Sequence, residues 1–248
     1  MGRLIGIETD LGNKRTLNED TVGFYEHSEY SIFVIADGMG GHNAGEVASK
    51  IAVDSVLEYI KTHCNDYDME QALEGAIDEA NKNVYKYAVL NENCSGMGTT
   101  LTVAYVKGNK LIVANVGDSR CYVVSKGELI KVTKDHSLVQ ELLDNGTITA
   151  EEAINHPNKN VITRAVGTKI SIKGDYYPLD LQNISTVMLC SDGLTNEVTE
   201  EEILSIINND ISNSSIRLIE RSKEKGGKDN ISVIIFKGEC THDWNHIR

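Results

Sequence analysis

Proline is almost missing from this 248-residue chain, which has two, and no Pro- or Ser-rich stretch or internal repeat interrupts it. No flexible linker is advertised, and the length suits one large domain, residues 1–248. No apolar run approaches the ~20 residues of a membrane span. The start, "MGRLIGIETDLGNK", has no long apolar core and carries acids early, so no leader peptide is expected. Met1-Gly2 begins like a myristoylation signal, but Ile5 and Gly6 do not supply the small hydroxyl context that signal needs. Cys64, Cys94, Cys121, Cys190 and Cys240 never fall in CxxC spacing, and their number is odd. That argues against a disulfide framework and fits free thiols in a cytoplasmic protein. Cations are the scarcer charge, 24 Lys and Arg against 37 Asp and Glu, for a net charge of −13. A field of that sign opposes nucleic acids and anionic membrane surfaces, so neither is an expected partner. A phosphorylated protein needs only local cations and stays admissible.

What the chain does have is β-branched apolar runs: "RLIGIET", "TVGFYE", "YSIFVIA", "TTLTVAYVK", "KLIVANV", "RCYVVSK", "TVMLCS" and "ISVIIFK". "VKGNK" and "VSKGEL" read as hairpin turns, and such short connections favour antiparallel pairing. Two helical patterns lie between the third and fourth runs. Over 43–64 the stripe is Val47, Ile51 and Val56/Tyr59/Ile60; over 68–90 it is Met69, Leu73, Ile77, Ala80, Val84 and Tyr87, with Asp68 and Gln71 as a cap pair. Thr199 with Glu202 opens a third helix, and a fourth runs from about Asn213 to Gly226-Gly227. Each striped helix must bury one face. Two helix pairs and two antiparallel sheets would do so as an α+β, four-layer αββα sandwich. Residues 136–165 differ, with short helices at "HSLVQELLDNG" and "TITAEEAI" followed by polar "NHPNKN", and read as a small surface subdomain.

Acids recur where the apolar runs stop. Asp37 ends "IFVIAD-G", Asp118 ends "LIVANVGD-S", Asp192 ends "VMLCSD-G", and Asp229 precedes "N-ISVIIF". Taken singly, each is a turn former or a helix cap. Taken together, carboxylates at the rims of central strands would repel, and would either hold protons or bind a cation. Hard oxygen ligands without Cys or His favour Mg²⁺ or Mn²⁺ over Zn²⁺. The glycines after Asp37 would let backbone approach such an ion. Spacing alone leaves both readings open.

Eight motifs in order resemble the metal-dependent protein phosphatases, the PPM or type-2C serine/threonine phosphatases, in their compact bacterial form. They are "GNKRTLNED" (12–20), "VIADGMGGHNAGEVAS" (34–49), "GMGTTL" (96–101), "ANVGDSR" (114–120), "TKDHSLV" (133–139), "VITRAVG" (161–167), "LCSDGL" (189–194) and "GGKDNISVI" (226–234). The resemblance implies a β-sandwich with a two-metal centre, Mn²⁺ or Mg²⁺, between its sheets. In it Asp37 bridges both ions, the Gly38 carbonyl completes the first site, and Asp192 and Asp229 hold the second. Asp118, with Asp192, holds a weaker third ion. Asp20 lies behind the metals, bonded to their water, with Glu19 as a helper, and Asn230 orients the end of its strand. Arg15 matches the position that holds the substrate phosphate, although an ordinary solvated arginine reads equally well there. Residues 146–165 correspond to a flap that borders the active site in relatives.

Animal members commonly carry a histidine where this chain has Met39, and methionine has no proton to give the leaving alcohol. His42 is better read as a polar residue opening a helix. Cys190 is no nucleophile of the Cys-x5-Arg type, because position 196 is Asn196, and "GGKDN" is not a nucleotide-binding P-loop. The resemblance implies hydrolysis of phosphoserine and phosphothreonine on proteins by a hydroxide bridging two metal ions, opposing a serine/threonine kinase with a cytosolic domain. A catalytically impaired phosphoprotein-binding module is the alternative. All four metal-site acids are present, which weighs against it. "ECTHDWNHIR" at the C-terminus, with the only tryptophan, has no functional account.

Overall fold

The structure is a computed structural model that describes residues 3–40, 44–154 and 156–238. The C-terminal "ECTHDWNHIR", His42 and the expected helix start at Asn43 lie outside these residues. Two antiparallel sheets form the centre. One has the order β1 (Ile5–Asp10), β11 (Ile231–Lys237), β10 (Ile184–Cys190), β7 (Arg120–Ser125), β8 (Glu128–Lys131). The other has the order β2 (Asp20–Glu26), β3 (Tyr30–Met39), β5 (Leu101–Lys107), β6 (Lys110–Val116), β9 (Asp175–Asp180), with the short β4 (Gly98–Thr99) pairing the end of β3. The turn between β7 and β8 places Lys126 at φ 52° and Gly127 at φ 82°, the two left-handed residues of a tight hairpin.

Side chains alternate across a strand, so each strand feeds two layers. On β3, Ile32, Val34 and Ala36 face helices α1 (Ala44–His63) and α2 (Met69–Leu90), while Phe33 and Ile35 face the opposite sheet. On β11, Val233 and Ile235 face helices α6 (Glu200–Asn209) and α7 (Ser214–Lys225), while Ile234 and Phe236 face inward. Phe33 and Phe236 stack across the gap, with ring centroids 4.0 Å apart, and join the two sheets. The layers are therefore helices, sheet, sheet, helices. Asp68 caps α2 by accepting from the Glu70 and Gln71 N–H groups, and Thr199 with Glu202 forms a reciprocal capping box on α6.

The expected stripes hold at Val56 and Ile60 of α1 and at Leu73, Ile77, Ala80 and Val84 of α2, and differ elsewhere. The buried face of α1 is Ala44, Ala48, Ala52, Val53, Val56 and Ile60, with Val47 and Ile51 only partly covered. On α2 Tyr87 is exposed and Ala72, Ala76 and Ala88 are buried in its place. Small side chains let both helices sit close on the sheet. The strand β9 was not anticipated: "DYYPLD" is polar and contains Pro178, which is tolerated there because β9 is an edge.

Between β8 and β9 the chain forms α3 (Leu138–Asp144), capped by Ser137, and α4 (Ala150–Ile154), capped by Thr149 and Glu152. Only Val139 of these two helices is buried. Its two ends meet at a bridge between Ser137 and Ile162.

Candidate active site

The space between the sheets changes chemistry along its length. At one end it is dry: Phe33, Ile35, Val106, Leu111, Val123, Val187, Ile234 and Phe236 are all buried there. At the other end the same inward-facing rows turn polar. The inward series on β3 runs Phe33, Ile35, Asp37; on β2 it runs back from Val22 to Asp20, which is paired with Asp37. On β11 and β10 it reaches Ser232 and Ser191, on β5 Thr102 and Thr100, on β6 Asn115, and before β7 Ser119. Hydrogen bonds link these groups across both sheets. Thr100 Oγ1 accepts from the Asp37 N–H at 2.9 Å and lies 2.8 Å from Ser119 Oγ. Ser191 Oγ donates to Asp20 Oδ2 at 2.8 Å and accepts from the Ser232 N–H. Thr102 donates to Asn115 at 2.6 Å.

On this floor a cleft of about 260 Å³ is lined by Asp37, Asp118, Asp192 and Asp229, with Arg15, Glu19, Gly38, Met39, Thr100, Asn160, Ile162 and Asn230. The four aspartates come from β3, the turn after β6, the start of the short helix α5 (Asp192–Thr195) and the loop before β11. Asp37 does not end its strand, as the sequence suggested: β3 continues two residues, because Gly38 and Met39 pair with β4. Burial pushes the Asp37 carboxyl well above the ordinary range, and the charges of Asp20, Asp192, Asp118 and Asp229 add to it. Burial first and Asp229 second raise Asp192, while Asn196 Nδ2 donates to its Oδ2 at 2.9 Å and opposes the shift. Asp118 is pushed up to about 7 by burial and by Asp192. Asp20, beneath the cleft, is pushed up to about 7 by burial, and its Oδ1 is buried without a hydrogen-bond partner among the described residues.

Arg15 bonds Asp229 Oδ2 at 2.9 Å with its side chain 47% exposed. Burial works against its charge, but Asp229, Glu19 and Asp37 outweigh that and raise its pKa. The backbone of Glu19 accepts from the Gly38 N–H, and its carboxyl is raised by burial. The Asn230 side chain reaches away from its own strand. Its Nδ2 donates to the Leu11 and Leu17 carbonyls and its Oδ1 accepts from the Glu19 N–H, so it pins the loop that carries Arg15.

The glycines of the two Asp-Gly pairs are required by contact, and neither has a positive φ. A Cβ at Gly38 would overlap the Gly45 carbonyl oxygen, and one at Gly193 would overlap that of Asn230. Sequence reasoning missed Thr100, Ser119, Ser191, Ser232 and Asn196. Four of them sit in the motifs "GMGTTL", "ANVGDSR", "LCSDGL" and "GGKDNISVI", but serine and threonine are too common to single out without the strand register.

The donor set fits divalent Mg²⁺ or Mn²⁺: crowded buried carboxylates, an orphaned carboxylate oxygen beneath them and, among the described residues, no thiol or imidazole lining the cleft. Among the described residues, no three such side chains already close on a common point as a finished coordination sphere.

The Protein phosphatase 2C family model matches residues 12–232. The chain belongs to the protein phosphatase 2C family. Its activity is that of a metal-dependent serine/threonine protein phosphatase. The serine/threonine phosphatase stp of Listeria monocytogenes is 39% identical over 94% of this chain and 95% of its own length. The solved structure of the serine/threonine phosphatase Stp1 from Staphylococcus aureus is 34% identical, with a TM-score of 0.88 over 97% of this chain and 96% of that one. The catalytic domain of the serine/threonine protein phosphatase PstP, solved in complex with two manganese ions, is 34% identical, with a TM-score of 0.83 over 94% and 96%. The layers described above are thus those of protein phosphatase 2C relatives, and phosphoproteins are the substrates the family implies.

Proposed function

We propose that the acidic cleft is the phosphatase centre and that the described chain works as one catalytic unit, with 136–165 as its flap. The observation that carries this is the convergence of Asp37, Asp118, Asp192 and Asp229, from four distant parts of the sequence, on one cavity with Arg15. Asp37, the Gly38 carbonyl, Asp192 and Asp229 would hold a pair of Mn²⁺ or Mg²⁺ ions, and Asp118 with Asp192 a weaker third. Bound there, such ions supply an ionised water at neutral pH and neutralise charge on phosphate oxygens.

The chain's own residues do the rest. Arg15 turns its guanidinium fork from Asp229 toward two phosphate oxygens. Asp20, held by Ser191, keeps an acceptor beneath the cleft, with Glu19 beside it. Asn160 and Ile162 of the flap wall the cleft on one side. No cysteine intermediate is involved. Cys190 faces α6 and α7, is fully buried, and its thiol is pushed up to about 12 by burial. Water takes the phosphoryl group directly, the bond from phosphorus to the serine or threonine oxygen breaks, and inorganic phosphate leaves. The substrates are proteins phosphorylated by a serine/threonine kinase with a cytosolic domain, so the enzyme acts in the cytoplasm. Among the described residues no helix is long and apolar enough to cross a membrane.

The test is hydrolysis of a phosphothreonine peptide with Mn²⁺, with EDTA, and by Asp192→Ala. Turnover should vanish in both of the latter while circular dichroism stays native. Wild-type rates from Asp192→Ala would remove the cleft from the reaction.

A further inference from the structure

Asp175 opens the edge strand β9, opposite Asn115, and lies on the inward-facing row at the polar end of the sandwich. It has two cationic or proton-bearing neighbours from the subdomain 136–165 and its exit. Its Oδ1 accepts from Arg164 at 2.7 Å, two residues beyond Ile162 of the cleft wall. Its Oδ2 lies 3.2 Å from Nε2 of His136, at the other end of the same subdomain. That imidazole is buried, and its Nδ1 accepts from the Gly117 N–H at 3.1 Å. An accepting Nδ1 carries no proton, so the proton of the neutral ring sits on Nε2 and faces Asp175. The approach is electrostatic: Nε2 has no aligned hydrogen-bond acceptor among the described residues. The His136 N–H donates to the Gly117 carbonyl, and Asn115 Nδ2 bonds that same carbonyl and that of Lys134. Gly117 directly precedes Asp118.

We propose that Asp175 is a positioning residue whose one carboxylate clasps the flap through Arg164 and the Gly117-Asp118 turn through His136, so that the cleft wall and the Asp118 carboxylate are set together. His136 already joins the two through its backbone, donating to the Gly117 carbonyl and accepting from the Thr163 N–H, and Arg164 also donates to the Lys173 carbonyl; the Asp175 carboxylate adds the side-chain tie between Arg164 and His136. The carboxylate is partly exposed on an edge strand, so removing its charge does not open the core.

The experiment is amide hydrogen exchange on the metal-free full chain, wild type against Asp175→Asn and Arg164→Gln, with phosphopeptide kinetics in Mn²⁺ alongside. Asp175→Asn should speed exchange at least about threefold both in 156–165 and in 117–119, with α1 unchanged. Arg164→Gln should loosen 156–165 alone. For Asp175→Asn, kcat/KM should fall about threefold to tenfold, carried by KM rather than kcat. Exchange that changes in only one of the two segments in Asp175→Asn, or rises across the whole chain, would overturn the clasp. So would loosening of 117–119 by Arg164→Gln. Unchanged kcat/KM with both segments loosened would overturn its role in the reaction. The kinetic arm rests on the reading of the cleft proposed above; the exchange arm does not, and it decides the clasp even if the cleft proves to have another use.

Discussion

The two ends of the space between the sheets are built by the same strands, in the same register, under the same alternation rule, and they behave as opposites. At the apolar end each inward position adds to stability by leaving water, about 1.5–3 kcal/mol for a large aliphatic or aromatic side chain. At the acidic end Asp37, Asp118 and Asp192 are held in a form they resist, with their pKa values raised by burial and by their neighbours. The dry end adds to the fold's stability together with the two clusters under the helices, and that surplus tolerates the opposed carboxylates at the other end.

The sharpest way to break this contrast is Asp37→Asn. The isosteric amide removes the charge most opposed by its surroundings. Turnover of a phosphopeptide with Mn²⁺ should fall by about 1,000-fold or more, while the metal-free protein melts at a higher temperature than wild type. A lower melting temperature in EDTA would show that Asp37 carries no strain. The counterpart at the dry end is Phe236→Ala. It should cost about 3–5 kcal/mol in urea unfolding and leave KM of the surviving folded enzyme near wild type. A large KM change would mean that the two ends are mechanically one.

Proton linkage sharpens the contrast further. Asp20 and Asp118 are both raised to about 7. A raised carboxyl favours the folded state when protonated, so its contribution is whole below the ordinary pKa of about 4 and is lost as pH climbs through about 7. Metal-free protein should therefore lose thermal stability from about pH 5 to about pH 8, and Mn²⁺ should restore most at the upper end. Differential scanning calorimetry with and without EDTA reads this; a metal-free protein that gains stability over that window would contradict it. The smallest expected effect is Arg15→Lys. A point charge replaces a fork that now grips Asp229, and KM for a phosphopeptide should rise about tenfold with kcat little changed. An unchanged KM would return Arg15 to the solvated surface.

Much of this contrast was legible in the sequence. The apolar runs located eight strands, and acids beside four of them located the cleft, because both signals are local and strong. The hydroxyl floor was not legible. Whether Thr100 or Ser191 faces inward depends on register between strands far apart in the chain, which no local pattern encodes. The first half of the α1 face differed for a related reason. Alanine is ambiguous by hydropathy, yet Ala44, Ala48 and Ala52 make the close contact and the larger Val47 and Ile51 stand aside. The edge strand β9 was hidden by its own polarity, and Asp175 with it.

The tight seats of Gly38 and Gly193 carry a lesson for descendants of this gene. Because any side chain there would strike a neighbouring carbonyl oxygen, selection for mere folding suffices to preserve both glycines. A duplicate that drifted into a silent scaffold would keep them and shed its aspartates first. In telling living enzymes from their relics, the letter before each glycine is the informative one.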